Sequence, residues 1–233
     1  MKNVFTFLLL LFSLLCNGQS PKLFTTDKEL SSSLINQIYQ DRNGFIWIAT
    51  EDGLNRYDGA KFTIYKHEPN NEHSLAHNFV RTVFEDSKGH LLIGTYIGIQ
   101  MYDPATDNFT PLAKLEDTGE TLESNINSFI ERKNGEIWVS GNVLCKLDIK
   151  DHLLTVRKVD IAVTSPGSLF EDKKQNVWMA KGEEGVYQLT PDNQLTLHLS
   201  KDNGYVKSIC EDQRGNIYVG SIRKGLFIYD KRT

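Results

Sequence analysis

The sequence predicts an all-β fold, a β-propeller of four-stranded antiparallel blades with five repeats present, and three observations carry that expectation. A ten-residue phrase recurs five times: DRNGFIWIAT from Asp41, DSKGHLLIGT from Asp86, RKNGEIWVSG from Arg132, DKKQNVWMAK from Asp172 and DQRGNIYVGS from Asp212. Its aligned anchors, Trp47, Leu92, Trp138, Trp178 and Tyr218, are spaced by 45, 46, 40 and 40 residues, a period that fits one blade per repeat. Aromatic and β-branched runs favour strands, and the 17 glycines supply turns between them. With 233 residues and 39% apolar content the chain has material for one large core or two small ones, and five similar units favour a single array.

The chain opens on MKNVFTFLLLLFSLLC, a lysine followed by a nearly unbroken apolar run, which reads as a secretory leader over residues 1–18. Cleavage after Gly18 starts the mature chain at Gln19 and gives a periplasmic or secreted protein. A lipid anchor on Cys16 is disfavoured by the bulky Leu15. The propeller occupies residues 19–233, with blades at about 34–67, 78–112, 125–158, 167–199 and 205–233.

In the first unit, residues 36–40, 45–49, 53–57 and 62–65 read as four short strands of one meander. Asp41-Arg42-Asn43-Gly44 joins the first two, with the Asp side chain accepting turn amides and Gly44 closing the hairpin at positive φ. Gly89, Gly135 and Gly215 serve the same turn in later units. Arg132 replaces the Asp in unit three, and Gln175 replaces the Gly in unit four, where a distorted hairpin is expected. The third strand begins at Gly53, Gly98, Gly185 and Gly225. Trp47, Leu92, Trp138, Trp178 and Tyr218 lie in apolar second strands, which makes them inter-blade core rather than sugar platforms. The last unit stops after its third strand. Either residues 22–25 supply the missing outer strand and close a five-bladed ring, or the array is the front of a longer ring with an uncovered apolar face.

Formal charge is −4, and removing residues 1–18 leaves 25 basic against 30 acidic residues, with no basic stripe for nucleic acid. No segment after the leader is long and apolar enough to span a bilayer, so membrane attachment is expected only through segments beyond this sequence. Cys145 and Cys210 fall at different places in the repeat, which predicts buried free thiols and no disulfide framework. The periodic acids Asp41, Asp86, Asp172 and Asp212 sit one per blade, so they read as turn caps and not as a calcium series. His67, His73 and His77, with Glu68 and Glu72, hold zinc-ligand chemistry but lie in a Pro- and Asn-containing connection, which reads as a solvated loop. No metal, cofactor or catalytic residue is assigned. The nucleophile elbow, the phosphate loop and the zinc-protease helix are all missing, and neighbouring acids such as Glu85-Asp86 or Glu183-Glu184 face opposite ways on a strand.

A meander alternates its turns between two ends. The Asp41-type hairpins share one end, while second-to-third-strand loops and inter-blade connections share the other. There the chemistry changes from blade to blade, as ligand-binding loops do on a rigid scaffold. The candidate ligand contacts are His73, His77, Asn78, Tyr96, Glu183, Glu184, Arg223 and Lys224.

The phrases LINQIYQDRNGFIWIATEDGLNRYDG and FVRTVFEDSKGHLLIGTYIGIQMYD, with the intervening HEPNNEHSLAHNFV, resemble the two-component regulator propeller repeat. The resemblance covers roughly residues 30–230. It implies blades grouped in sevens, the periplasmic sensor region of a hybrid histidine kinase, and a role in sensing polysaccharide or glycan. On that basis the chain is expected to be an N-terminal fragment lacking the kinase, with an oligosaccharide ligand and with a homodimer or further propeller repeats as partners. The alternatives are a propeller enzyme, such as a glycan lyase or glycosidase, and a protein-binding scaffold.

Overall fold

The computed structural model describes residues 21–200 and 204–230; the leader and Cys16 lie outside them. Every regular element among the described residues is a strand. Blade 1 is β1 (Ile35–Gln40), β2 (Ile46–Thr50), β3 (Gly53–Tyr57) and β4 (Phe62–Tyr65). Blade 2 is β5 (Val80–Glu85), β6 (Leu91–Thr95), β7 (Ile99–Asp103) and β8 (Asn108–Phe109), followed by the short β9 (Lys114–Leu115). Blade 3 is β10 (Ser128–Glu131), β11 (Ile137–Ser140), β12 (Leu144–Lys150) and β13 (Leu153–Lys158). Blade 4 is β14 (Leu169–Glu171), β15 (Val177–Lys181), β16 (Gly185–Leu189) and β17 (Leu195–Ser200), and blade 5 is β18 (Tyr205–Glu211), β19 (Ile217–Ile222) and β20 (Gly225–Tyr229).

Blades 1, 2 and 4 are four-stranded antiparallel meanders. Blade 3 gains a fifth strand, because β9 pairs in parallel with β13 through Thr155–Lys114 and Val156–Leu115. Blade 5 has three described strands, and residues 22–25 do not supply a fourth. Phe24 instead packs on Tyr57 and Phe62 of blade 1, at ring distances of 5.4 and 5.0 Å, so aromatic contacts hold this segment on blade 1.

Four of the five hairpins are held by an Asp carboxylate. Asp41 Oδ1 accepts from the amides of Asn43 (2.9 Å) and Phe45 (3.0 Å), and its Oδ2 accepts from the Trp47 indole at 2.8 Å. Asp172 repeats this with Lys174, Asn176 and Trp178, and Asp212 with Arg214, Asn216 and the Tyr218 hydroxyl. In blade 3, Arg132 has no carboxylate to offer, and Glu136 takes the Trp138 indole at 3.0 Å. The expected distortion at Gln175 does not occur. Gln175 adopts φ +67°, and the hairpin keeps the same two backbone bonds as the glycine-bearing turns because Asp172 still caps it.

A second tie joins blades in succession. Glu85, Glu131, Glu171 and Glu211 each accept the backbone amide of a turn residue in the preceding blade, from Arg42, Ser87, Lys133 and Lys173. These bonds lie between 2.7 and 2.9 Å, and they fix each blade against its predecessor at the hairpin end.

The core is a set of inter-blade layers. Trp47, Ala49 and Leu54 of blade 1 meet Val83, Leu91 and Ile93 of blade 2, and Trp138 and Trp178 fill the equivalent places farther along. The array leaves two apolar faces open at its ends. Ile38 is 61% exposed where its equivalent Val83 is 1%, and Leu226 is 60% exposed where its equivalent Leu54 is 0%. Tyr218, the fifth anchor, is half-buried for the same reason. The free thiol of Cys145 is buried, and burial pushes it up to about 11, whereas Cys210 is exposed, contrary to the sequence expectation, because it projects from the last blade.

Candidate functional site

The innermost strand of a blade carries an irregularity that decides where side chains point. Pairing between first and second strands shifts register between Ile35 and Gln37, between Val80 and Thr82, and between Val206 and Ser208. The bulged residues are Asn36, Arg81 and Lys207, each five positions before its hairpin residue. A bulge leaves its residue out of the ladder and re-aims the side chain, a device common beside binding sites.

Around these positions, blades 2 to 5 enclose an open funnel of about 500 Å³. Blade 2 contributes Arg81, blade 3 Asn127, blade 4 Ser168, Lys181, Glu183 and Glu184, and blade 5 Tyr205 and Lys207. Asn36 and Asn127 donate their side-chain amides to the next blade, to Val80 O at 2.7 Å and to Pro166 O at 3.1 Å. Arg81, at the same register, makes no such bond. Its Nε is buried without a hydrogen-bond partner, as is Ser168 Oγ, and its guanidinium lies 5.4 Å from the Phe79 ring centre. Lys181 is neutralised by Glu184 at 2.5 Å. Tyr205, 47% exposed, packs its ring against Gly182, where an added Cβ would stand 3.1 Å away. No histidine or cysteine lines the funnel.

The residues singled out from sequence are placed as follows. Glu183 and Glu184 line the funnel. Tyr96 and His77 are not among the funnel's lining residues; Tyr96 lies 6.1 Å from Phe79 and 5.5 Å from His77, and the His77 Nδ1 accepts the Phe79 amide at 2.9 Å. Asn78 is consumed as a loop pin, with its Oδ1 accepting the His67 amide and its Nδ2 donating to Asp52. His73 faces away, with Nδ1 at 3.2 Å from Phe109 O, and lines a separate pocket of about 340 Å³ with His152. Arg223 and Lys224 sit on the blade 5 turn outside the funnel lining. His67, His73 and His77 do not converge: the first uses Nδ1 on Leu75 O, and the other two are spent as described. No group of three metal-ligating side chains occurs among the described residues.

Sequence reasoning missed Arg81, Asn127, Tyr205 and Lys207. One signal for them was present: at five residues before the hairpin position the chain reads Asn36, Arg81, Asn127, Gly167 and Lys207. Within an otherwise repeating strand, that register changes charge and size from blade to blade.

The architecture is thus a β-propeller array with a funnel built from its inner strands. The model of the two component regulator propeller family matches residues 29–52, 74–96 and 200–223, segments that fall in blades 1, 2 and 5. Over 83 residues it is 37% identical to Histidine kinase P4 of Formosa agariphila, a match that covers 33% of this chain and 6% of that protein. The extracellular domain assigned to the hybrid two component system BT4673 of B. thetaiotaomicron superposes with a TM-score of 0.73 at 19% identity, over 92% of this chain and 32% of that one. Virginiamycin B lyase of Staphylococcus aureus gives a TM-score of 0.61 at 13% identity, over 91% of this chain and 73% of that one. At these identities the two structures bear on the fold alone. The chain spans about a third of the first and a small part of the kinase.

Proposed function

We propose that this chain is a non-catalytic, ligand-binding part of the extracytoplasmic sensing region of a two-component regulatory system, with the inner-strand funnel as its ligand site. The observation that carries the reading is Arg81: a bulged cation with no ion pair among the described residues, lining a funnel shared by four blades, in a chain three of whose repeats match the regulator propeller family. The names of the kinase and of the hybrid-system domain support a sensor assignment, and the leader sequence supports a periplasmic or secreted location. A polysaccharide-derived oligosaccharide is the ligand class, since an exposed aromatic beside carboxylates and amides suits a polyhydroxylated ring. Binding would bias the packing of blades around the funnel, because a ligand shifts an equilibrium through its different affinity for two arrangements. The open faces at Ile38 and Leu226 would be covered by further blades of a larger ring.

Calorimetric titration of the chain with a panel of oligosaccharides, with each mixture then analysed for products, tests this. Saturable binding with unchanged saccharide is the expected result. Product formation would replace the sensor by an enzyme, and uniform lack of binding would remove the sensing role.

A further inference from the structure

Resting on the funnel as the ligand site, we infer that the ligand is an acidic saccharide, with one carboxylate or sulfate held between Arg81 and Lys207. Charge within the funnel leads to this. The Lys181–Glu184 pair closes on itself at 2.5 Å. That leaves Arg81 and Lys207, neither of which has an ion pair among the described residues, against the single carboxylate of Glu183. Both cations are bulge residues, so the backbone turns them out of the ladder from two different blades. Their equivalents Asn36 and Asn127 spend their side chains on the neighbouring blade's backbone, so the register does not itself require a charge.

The orphaned donors add a second line. Arg81 Nε and Ser168 Oγ are buried without partners, and both residues line the funnel. Both atoms are shielded even from water, so a ligand meets Arg81 through the outer nitrogens of its guanidinium, a group that a planar oxyanion taking parallel bonds suits best. Glu183 limits the partner. A polyanion such as nucleic acid or polyphosphate would be repelled by it, whereas the hydroxyls of a sugar would donate to it. Tyr205, backed by Gly182, offers a ring for the apolar face of a pyranose.

The test is calorimetric titration of the chain with four probes: a trigalacturonate, the neutral maltotriose, a sulfated disaccharide and inorganic sulfate. Trigalacturonate or the sulfated disaccharide is expected to bind at least about ten-fold more tightly than maltotriose, as a charge-assisted bond implies. That affinity should fall as salt rises toward ~0.5 M, where the screening length shrinks to a few ångströms. Arg81→Gln and, separately, Lys207→Gln should each lower it about ten-fold, with Arg81→Lys in between, and circular dichroism identifies any variant that has not folded. Equal affinity for maltotriose, untouched by either variant, would overturn the acidic assignment and leave the funnel as a neutral-sugar site. Inorganic sulfate binding as tightly as the acidic sugars would overturn the saccharide frame. No binding of any probe would overturn this inference together with the sensing role.

Discussion

Replacing Asp41 by Ala tests how much of the blade rests on one carboxylate. The substitution removes three hydrogen bonds, to the amides of Asn43 and Phe45 and to the indole of Trp47. Trp47 is fully buried, so its N–H is left with no acceptor, a loss of about 1–3 kcal/mol. The turn amides lie nearer the surface and regain water, adding about 0.5–1.5 kcal/mol each when the charged acceptor disappears. An overall loss of ~3 kcal/mol follows. Asp41→Asn keeps an oxygen for the two amides but turns an N–H₂ toward the indole, so about half that loss is expected. Blade 3 offers a contrast, since its indole bonds to Glu136, whose other oxygen holds Lys146 at 2.6 Å; Glu136→Gln keeps an acceptor for the indole but gives up this half-exposed ion pair, so a loss of about 1 kcal/mol is expected there. Urea unfolding followed by tryptophan emission reads all three. A change of less than ~1 kcal/mol for Asp41→Ala, or equal losses for the Ala and Asn variants, would refute the reasoning.

Leu54→Ala should cost about 2–5 kcal/mol and Leu226→Ala no more than ~0.5, because the first is enclosed between blades and the second faces solvent; equal midpoints in urea would contradict that layering. Gly185→Ala should lose soluble protein, since Gly185 adopts φ +132° and its added Cβ would overlap the Leu199 carbonyl oxygen; normal yield and melting would count against the close strand approach. Burial against Trp178 holds His198 below the usual histidine range, so its contribution is present above about pH 6.5 and is lost as pH falls and the unfolded chain takes the proton. The denaturation midpoint should therefore drop between pH 7.5 and 5.5, and by less in His198→Gln; the same drop in both would exclude His198 as its source. Asp107 adds a second acid-sensitive group. Burial opposes its charge, but the Tyr102 and Tyr65 hydroxyls and the Arg56 guanidinium hold its carboxyl low, so its stabilisation is present above the ordinary carboxylate range and is lost as pH falls through that lowered value. Asp107→Asn should flatten the acid limb of the stability curve, and an unchanged limb would argue against this cluster.

The repeat made the blades legible, because a strand that must bury Trp47 or Leu92 against a neighbour repeats its residues at every blade. Asp41, Asp86, Asp172 and Asp212 were readable as caps for the same reason, although their bond to the anchor side chain in three of the blades was not. Glu85, Glu131, Glu171 and Glu211 escaped the sequence reading, because their partner is a backbone amide of another blade, which carries no residue signature. Gln175 was misread because turn geometry was ascribed to glycine alone, whereas the Asp172 carboxylate and the Asn176 amide hold the turn at positive φ. The parallel pairing of β9 depends on a connection of unrepeated sequence. The candidate site was half legible. Glu183 and Glu184 stood out in a variable loop, but Arg81 and Lys207 lie inside repeating strands and gain their direction from bulges, which sequence periodicity does not mark.

The most direct measurement is a crystal structure of the chain soaked with trigalacturonate. Saccharide density in the funnel, with a carboxylate against Arg81 and Lys207 and a ring against Tyr205, is the expected result. Density confined to the pocket of about 680 Å³ lined by His67, Lys114 and His152, or to the hairpin end at Asp41, would contradict it.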